Sequence, residues 1–294
     1  MKILENVDLG ARTTYRVGGR ARFALTIESE ADAPKVAQWL RGHELPPVVM
    51  GRGSNTLVAD GNHDLVMIDI DVEPHLEVER DAEGWRVVAG ASWALPQLAR
   101  QLADHAVGGF AWAVGVPGSL GGAVVMNAGG HGGEMSHCVT AVQLLDLARG
   151  SVRWVPAADM HFSYRHSAVR STDVVLAATM LLPHGSPDEL RAQMSEIVAW
   201  RREHQPGGRN AGSVFRNPPG DHAARLIEAA GLKGLRIGGA EVSTKHANFI
   251  QALDGATASD VHELIRRVRD EVAANSGALL QTEIKFVGFP EVSS

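Results

Sequence analysis

Two glycine-rich segments constrain the fold of this chain more than any other feature of its sequence. The first reads Gly-Arg-Gly-Ser-Asn at 51–55, directly after the apolar run 48–50, and the second places four glycines within 115–122. Glycine lets the backbone approach a ligand closely, and successive N–H groups in such a turn bind anions. We therefore predict two phosphate-cradling loops. The alternatives without a ligand are a tight turn at the first segment and close packing between strands at the second.

The residues after Asn55 decide between the known families of glycine-rich loop. Thr56-Leu57-Val58 reads as a strand, and Asp60-Gly61 then reads as a turn. A Rossmann fingerprint and a Walker loop both continue into a helix. The sequence therefore excludes both of these nucleotide-binding folds for the first segment.

Strands and helices are mixed along the chain without a regular βαβ alternation. Short apolar or β-branched runs predict strands at 22–28, 47–50, 65–70, 76–80, 85–89, 141–147, 151–155, 174–182 and 279–289. Short turn segments at 81–84 and 148–150 predict that 76–80 and 85–89 form one hairpin and that 141–147 and 151–155 form a second. Apolar residues at helical spacing, with start and stop signals, predict helices at 31–41, 93–105, 187–204 and 257–275, and a short one from Asp221 to Gly231. This pattern predicts the α+β class with a domain boundary near 190–210.

Composition narrows the class of protein. The net charge of −6 argues against nucleic-acid binding, which usually needs a basic face. A single cysteine, Cys138, excludes a disulfide framework and disfavours a cysteine-based metal site, and the 13 histidines show no metal-binding spacing. No apolar run approaches 18 residues, and the N-terminus lacks the apolar region of a secretory signal. We therefore expect a cytoplasmic protein with no bound metal and no membrane insertion.

Three further motifs make the sequence recognisable. They are Phe-Ser-Tyr-Arg-His-Ser at 162–167, Asn-Ala-Gly-Ser-Val-Phe-Arg-Asn-Pro at 210–218 and Lys-His-Ala-Asn-Phe-Ile at 245–250. Together with the glycine-rich segments, they resemble the UDP-N-acetylenolpyruvoylglucosamine reductase family from about Asn6 to Gly288. The motifs occur in the order expected for that family.

The resemblance implies a particular organisation of the chain. It implies an FAD-binding region of the PCMH (vanillyl-alcohol-oxidase) type, with subdomains at 1–70 and 71–195. A smaller C-terminal α/β substrate domain would occupy 196–278, and the terminal strand within 279–294 is a candidate to return to the second subdomain. The implied reaction is NADPH-dependent, FAD-mediated reduction of UDP-N-acetyl-enolpyruvoylglucosamine to UDP-N-acetylmuramate, a step of peptidoglycan synthesis. The expected partners are thus the UDP-sugar and NADPH; the sequence predicts no oligomeric state.

Such a reduction has two chemical requirements. Negative charge that develops beside the substrate carboxylate must be stabilised, and a proton must be delivered to carbon. The resemblance implies that Arg165 stabilises the charge, that Ser213 donates the proton and that Glu283 is a catalytic acid. Burial in a dry pocket would raise the pKa of Glu283 and keep it neutral. Without the resemblance, these three residues would be interpreted as a stacked or salt-bridged arginine, a turn or cap serine and a solvated strand carboxylate.

The ligand-binding residues follow from the same motifs. For FAD we predict Gly51, Arg52, Gly53, Ser54, Asn55, Thr56, Gly115, Pro117, Gly118, Ser119, Gly121 and Gly122. For the substrate we predict Arg216, Asn217, Lys245 and Asn248, since basic side chains suit a diphosphate. A charged loop or helix end is the alternative for each of these four.

The chain also departs from the family pattern. His131 stands where the family often has tyrosine, and Arg216 replaces a frequent lysine. The short interval between Arg165 and Val174 resembles a compact subgroup that lacks an inserted loop with a substrate-covering tyrosine. Two competing classes remain at this point: an alcohol oxidase on the same flavin scaffold and a non-catalytic nucleotide-binding module. Such oxidases often attach flavin to a histidine, and no histidine lies beside the first loop, so we expect non-covalent FAD.

Overall fold

The computed structural model describes residues 1–71 and 75–290. Within these ranges the helices are α1 (Ala33–His43), α2 (Leu95–Asp104), α3 (Leu120–Val125), α4 (Pro187–His204), α5 (Ala223–Ala229) and α6 (Ala258–Ser276). The strands are β1 (Lys2–Asp8), β2 (Arg20–Ile27), β3 (Pro47–Val49), β4 (Thr56–Val58), β5 (Asn62–Ile70), β6 (Leu76–Asp81), β7 (Gly84–Gly90), β8 (Gly129–Gly130), β9 (Gly133–Glu134), β10 (Val139–Asp146), β11 (Ser151–Pro156), β12 (Asp173–Leu182), β13 (Arg236–Ile237), β14 (Ala240–Val242), β15 (Ile250–Ala252) and β16 (Lys285–Val287).

The chain forms two compact units that interleave in sequence. Unit 1 comprises Met1–Glu5, Phe23–Arg52 and Asp64–Arg201, and unit 2 comprises Asn6–Arg22, Gly53–His63 and the chain from Arg202 onward. Strands β1, β2 and β5 and helix α4 each contribute residues to both units. The first glycine-rich segment is divided as well, between Arg52 and Gly53. The domain boundaries predicted from the sequence, at 1–70, 71–195 and 196–278, remain a prediction.

Unit 1 is built on a five-stranded antiparallel sheet in the order β11-β10-β12-β7-β6. Both predicted hairpins are present, β6–β7 and β10–β11. Side chains of the apolar strand β12 alternate between two buried clusters, Val175 in one and Val174 and Leu176 in the other. This alternation explains why the strand is apolar throughout, since successive side chains point to opposite faces and both faces are covered. Helices α2 and α3 contribute Leu98 and Leu120 to the first cluster.

Unit 2 packs helix α6 against a three-stranded antiparallel sheet, β13-β14-β15. Helix α6 begins at a capping box: the hydroxyl of Thr257 accepts from Asp260 N at 3.1 Å, and the Asp260 carboxylate accepts from Thr257 N at 3.0 Å. The predicted start of this helix at Thr257 is therefore confirmed. Its apolar stripe, which includes Leu264 and Val268, is buried in the core of unit 2.

Two local predictions are wrong. Asp221 does not cap α5, because its carboxylate bonds the Arg225 side chain and His222 N, and the helix begins later, at Ala223. The predicted long terminal strand is reduced to β16, which pairs in parallel with β4, directly after the first glycine-rich segment. The segment before β16 instead forms a single bridge, between Thr282 and Phe215.

Candidate active site

In unit 2, the loop that carries Ser213 pairs with the segment that carries Glu283. Glu283 N donates to Val214 O at 2.7 Å, and Arg216 N donates to Gln281 O at 2.9 Å. Ser213 and Glu283 are both half-buried. The two residues were linked only by the family resemblance, and the fold now places their backbones side by side.

Asn248 holds the Ser213 loop in shape. Its side chain is 4% exposed, and its amide bonds both backbone groups of one residue: Oδ1 accepts from Phe215 N at 2.9 Å, and Nδ2 donates to Phe215 O at 2.8 Å. The carbonyl of Asn248 also accepts from Val214 N at 2.9 Å. Its predicted contact with substrate stays a prediction, but the polar groups of the amide already bond the loop.

The other predicted substrate residues differ in their hydrogen bonding. Arg216 is half-buried, and its Nε is a buried donor with no partner among the described residues. Asn217 is exposed and accepts from Ala223 N at 3.0 Å, which satisfies a donor at the start of α5. Lys245 donates from Nζ to Arg202 O at 2.5 Å, near the end of α4. Arg216 is therefore the member of this set with a buried donor left for a ligand.

Asn55 connects the first glycine-rich segment to Glu283. Its side-chain Nδ2 donates to Glu283 O at 3.1 Å, and its carbonyl accepts from Lys285 N at 2.9 Å. The sequence predicted Asn55 as a cofactor donor, but the structure uses its amide to hold the carbonyl of the predicted catalytic acid. Thr56 follows in β4, paired with Lys285.

In unit 1, the two predicted cofactor segments meet at Gly51 and Ser119. A Cβ on Gly51 would lie 2.6 Å from Ser119 Oγ, so a larger residue at this position would displace the Ser119 hydroxyl. Ser119 is also the N-cap of α3, and its Oγ accepts from Gly122 N at 3.3 Å. Sequence reasoning did not predict this short helix.

Several of the glycines pack against protein. A Cβ on Gly121 would lie 3.0 Å from Ala91 Cβ, and one on Gly115 would lie 2.5 Å from Arg201 Cδ. In unit 2, a Cβ on Gly53 would lie 2.3 Å from Arg12 O. Close packing, the alternative without a ligand, thus accounts for part of the glycine content. The remaining predicted cofactor residues are exposed, as in Arg52 and Pro117, or half-buried, as in Ser54 and Gly118.

One buried donor beside the first glycine-rich segment fits a phosphate-bearing cofactor. Thr14 N bonds Gly53 O at 3.2 Å, and the Thr14 hydroxyl is buried without a partner among the described residues. Buried polar groups normally have a partner, so an orphaned hydroxyl beside a glycine-rich loop is consistent with an absent ligand. Sequence reasoning missed Thr14, because an isolated threonine carries no signal of its own.

Arg165 lies in a tight turn of unit 1. Ser163 and His166 exchange backbone hydrogen bonds of 3.1 and 3.0 Å around Tyr164 and Arg165. The guanidinium of Arg165 donates to Gly129 O at 3.1 Å and lies 5.1 Å from the centre of the Tyr164 ring. His131, which replaces the tyrosine frequent in the family, packs edge-to-face on Trp200 of α4. Burial, and secondarily the charge of Arg201, lowers the pKa of His131.

The described residues contain neither a metal-binding cluster of side chains nor a helix that could span a membrane. No group of three or more His, Cys, Asp or Glu side chains there is arranged to hold a metal ion. No helix in the same ranges has both the length and the apolar character needed to cross a bilayer.

Two separate parts of this chain match known protein families. Residues 21–156 match an FAD binding domain, and residues 204–287 match the C-terminal domain of UDP-N-acetylenolpyruvoylglucosamine reductase. The α+β fold class with an FAD-binding region is thereby confirmed, and the chain is a flavoprotein oxidoreductase. Two curated relatives with that reductase name extend the match to almost the whole chain. The one from Heliobacterium modesticaldum is 41% identical over 97% of this chain and 90% of its own, and the one from Anoxybacillus flavithermus is 39% identical over 97% and 94%.

A solved structure agrees with these relatives. The crystal structure of the reductase of the same name from Thermus caldophilus superposes with a TM-score of 0.82 at 34% identity, covering 98% of this chain and 99% of that one. The chain belongs to the UDP-N-acetylenolpyruvoylglucosamine reductase family. The family resemblance and the enzyme class predicted from sequence are therefore confirmed.

Proposed function

We propose that this enzyme catalyses the NADPH-dependent, FAD-mediated reduction of UDP-N-acetylenolpyruvoylglucosamine to UDP-N-acetylmuramate, in the cytoplasm and in the service of peptidoglycan synthesis. The relatives named above carry the name of this reductase, and the FAD binding domain supports the cofactor. The observation that carries the proposal is the pairing of the Ser213 loop with the Glu283 segment, which joins a hydroxyl and a carboxyl on adjacent backbone.

FAD would supply the reducing equivalents when bound. In unit 1, we expect Gly51 and Ser119 to contribute to binding it, without a covalent link. In unit 2, the hydroxyl of Thr14 beside Gly53 has no partner among the described residues and is a further candidate donor to a phosphate. Backbone N–H groups and hydroxyls suit this task because they donate hydrogen bonds without adding bulk.

The substrate phosphates require cationic donors. Arg216 supports this role, because a buried guanidinium nitrogen without a partner is stabilised by an anion. We expect Lys245 and Asn217 to bind the substrate phosphates beside Arg216. We expect Asn248 to support substrate binding by holding the Ser213 loop in shape. NADPH as the electron donor rests on the family resemblance.

Each catalytic role has a physical basis. Arg165 supplies a permanent cation for the charge that develops on the substrate carboxylate, and Glu283 in its neutral form would donate a hydrogen bond to the same group. The hydroxyl of Ser213 delivers the proton, which even a weak acid can do when the acceptor is a basic, carbanion-like carbon.

The Ser213→Ala variant tests the proposal. In rapid-mixing experiments we expect NADPH to reduce the flavin at the normal rate, while re-oxidation by the enolpyruvyl sugar nucleotide slows by ~10²–10⁴-fold, the usual cost of losing a general acid. Ser195→Ala, at an exposed position of α4, is the matched control and should leave both steps unchanged. Normal rates for both steps in Ser213→Ala would refute the role of Ser213, and absence of sugar-dependent NADPH oxidation in the native enzyme would refute the function.

A further inference from the structure

Asn127 and Glu134 lie beside the Arg165 turn, and neither is among the predicted catalytic or ligand-binding residues. We propose that they are positioning residues, which hold Arg165 in the orientation that catalysis requires. This inference rests on the proposed role of Arg165 in the reaction.

The backbone of the Arg165 turn needs external support. Arg165 has a φ of 57° in the turn between Ser163 and His166, a left-handed conformation that side-chain-bearing residues rarely adopt. Strained conformations of this kind persist when the surroundings hold them in place, and they cluster at functional sites. The support must come from neighbours that bond the turn directly.

Asn127 provides that support. Its side chain is fully buried, and Nδ2 donates both to Ser163 O at 3.1 Å and to Glu134 Oε1 at 3.2 Å. Its Oδ1 accepts from Ser136 N at 2.9 Å. Every polar atom of this amide is thus used, and one of its bonds ends on the first residue of the Arg165 turn.

Glu134 supports both Asn127 and the guanidinium. Its Oε1 accepts from Asn127 and from the hydroxyl of Ser136. Glu134 also pairs across β8–β9 with Gly129, whose carbonyl accepts from Arg165 Nη2 at 3.1 Å. A Cβ on Gly129 would lie 2.6 Å from Glu134 Cβ, so the pairing is as close as a glycine permits.

The charge of Glu134 persists in this environment. The hydroxyl of Ser136 above all, then the amide of Asn127 and the positive charges of His137 and Arg165, lower the pKa of Glu134 although burial opposes them. The lowered pKa favours the carboxylate form of Glu134, whose charge interacts favourably with that of Arg165. Together the two residues hold the turn by hydrogen bonds and the guanidinium by charge.

Asn127→Asp is the main test, because it keeps the size of the side chain and replaces the bonding N–H group with a carboxylate that faces Glu134 and Ser163 O. We expect the rate of flavin re-oxidation by the enolpyruvyl sugar nucleotide to fall roughly 10- to 100-fold, the scale of loss when a catalytic group is misplaced. FAD content, the melting temperature and flavin reduction by NADPH serve as further readouts. Asn275→Asp, at an exposed position of α6, is the matched control and should behave as the native enzyme.

A double-mutant cycle separates positioning from general damage to the fold. If Asn127 acts through Arg165, the loss caused by Asn127→Asp should nearly vanish in an Arg165→Lys background, because the geometry it protects is already gone. Equal losses in both backgrounds would overturn the proposal. Should Asn127→Asp fail to fold, Glu134→Gln takes its place in the same cycle, since it keeps the size and an acceptor oxygen but removes the charge.

The two proposals fail in different ways. An Arg165→Lys enzyme with normal rates would refute the role of Arg165 itself. An impaired Arg165→Lys enzyme, combined with native rates in both Asn127→Asp and Glu134→Gln, would refute the positioning role alone.

Discussion

Replacing Gly53 by alanine would place a methyl group where the protein backbone already lies. The new Cβ would be 2.3 Å from Arg12 O and 2.7 Å from Thr13 Cα, and Gly53 has a φ of 62°. The neighbouring backbone has little freedom to withdraw, because Thr13 N bonds Gly10 O at 3.0 Å and Thr14 N bonds Gly53 O at 3.2 Å. Relief of the clash must therefore break hydrogen bonds or distort the turn.

The expected loss of stability follows from two costs and one gain. The left-handed conformation costs alanine about 1–2 kcal/mol. Overpacking against a backbone that cannot move typically costs about 1–3 kcal/mol. Alanine also restricts the conformations of the unfolded chain, which stabilises the folded state by about 0.4–1 kcal/mol. We expect the free energy of unfolding to fall by about 1–5 kcal/mol, a large fraction of the total for a typical protein, about 5–15 kcal/mol.

Urea unfolding of the FAD-free protein, followed by circular dichroism, measures this loss. Two glycines provide matched controls, since neither has any atom within 4 Å of its added Cβ. Gly61 has a φ of 94°, so Gly61→Ala isolates the cost of the backbone conformation. Gly42 lies in α1, so Gly42→Ala should stabilise the protein by up to about 1 kcal/mol. FAD affinity should fall further in Gly53→Ala than in Gly61→Ala. If Gly53→Ala is no less stable than Gly61→Ala, the steric reasoning is wrong.

Two further experiments test the buried side chains of Asn248 and Cys138. Asn248→Ala leaves the N–H and C=O of Phe215 without their side-chain partner. The free energy of unfolding should therefore fall by about 2–5 kcal/mol, and sugar-nucleotide turnover should slow with it. A melting temperature close to native would contradict this prediction. Burial raises the pKa of the Cys138 thiol to about 12, so a disulfide reagent at pH 8 should leave the folded enzyme unmodified and label one thiol in urea; rapid labelling of the folded enzyme would show that the thiol is accessible.

The sequence alone determined the class of fold and the family. The strand after Asn55 ruled out the helix-linked nucleotide loops, and β4 confirms that strand. The start of α6 was readable at Thr257, because a capping box lies within four residues. Hairpins and apolar strands were readable for the same reason: their signals are local. The catalytic residues were predicted from the resemblance of motifs, and their roles remain predictions.

Only the tertiary structure decided what the polar residues around those motifs bond to. The amide of Asn55 bonds the carbonyl of Glu283 across a separation of 228 residues, and Asn248 bonds both backbone groups of Phe215. Asn127 likewise gave no sequence signal of its contact with the Arg165 turn. Such contacts depend on the register in which distant segments pair, and a shift of one residue would redirect every side chain. For the same reason, the sequence could not show which glycines approach a ligand and which pack against protein. A glycine indicates that space is needed beside the backbone, but not which group fills that space.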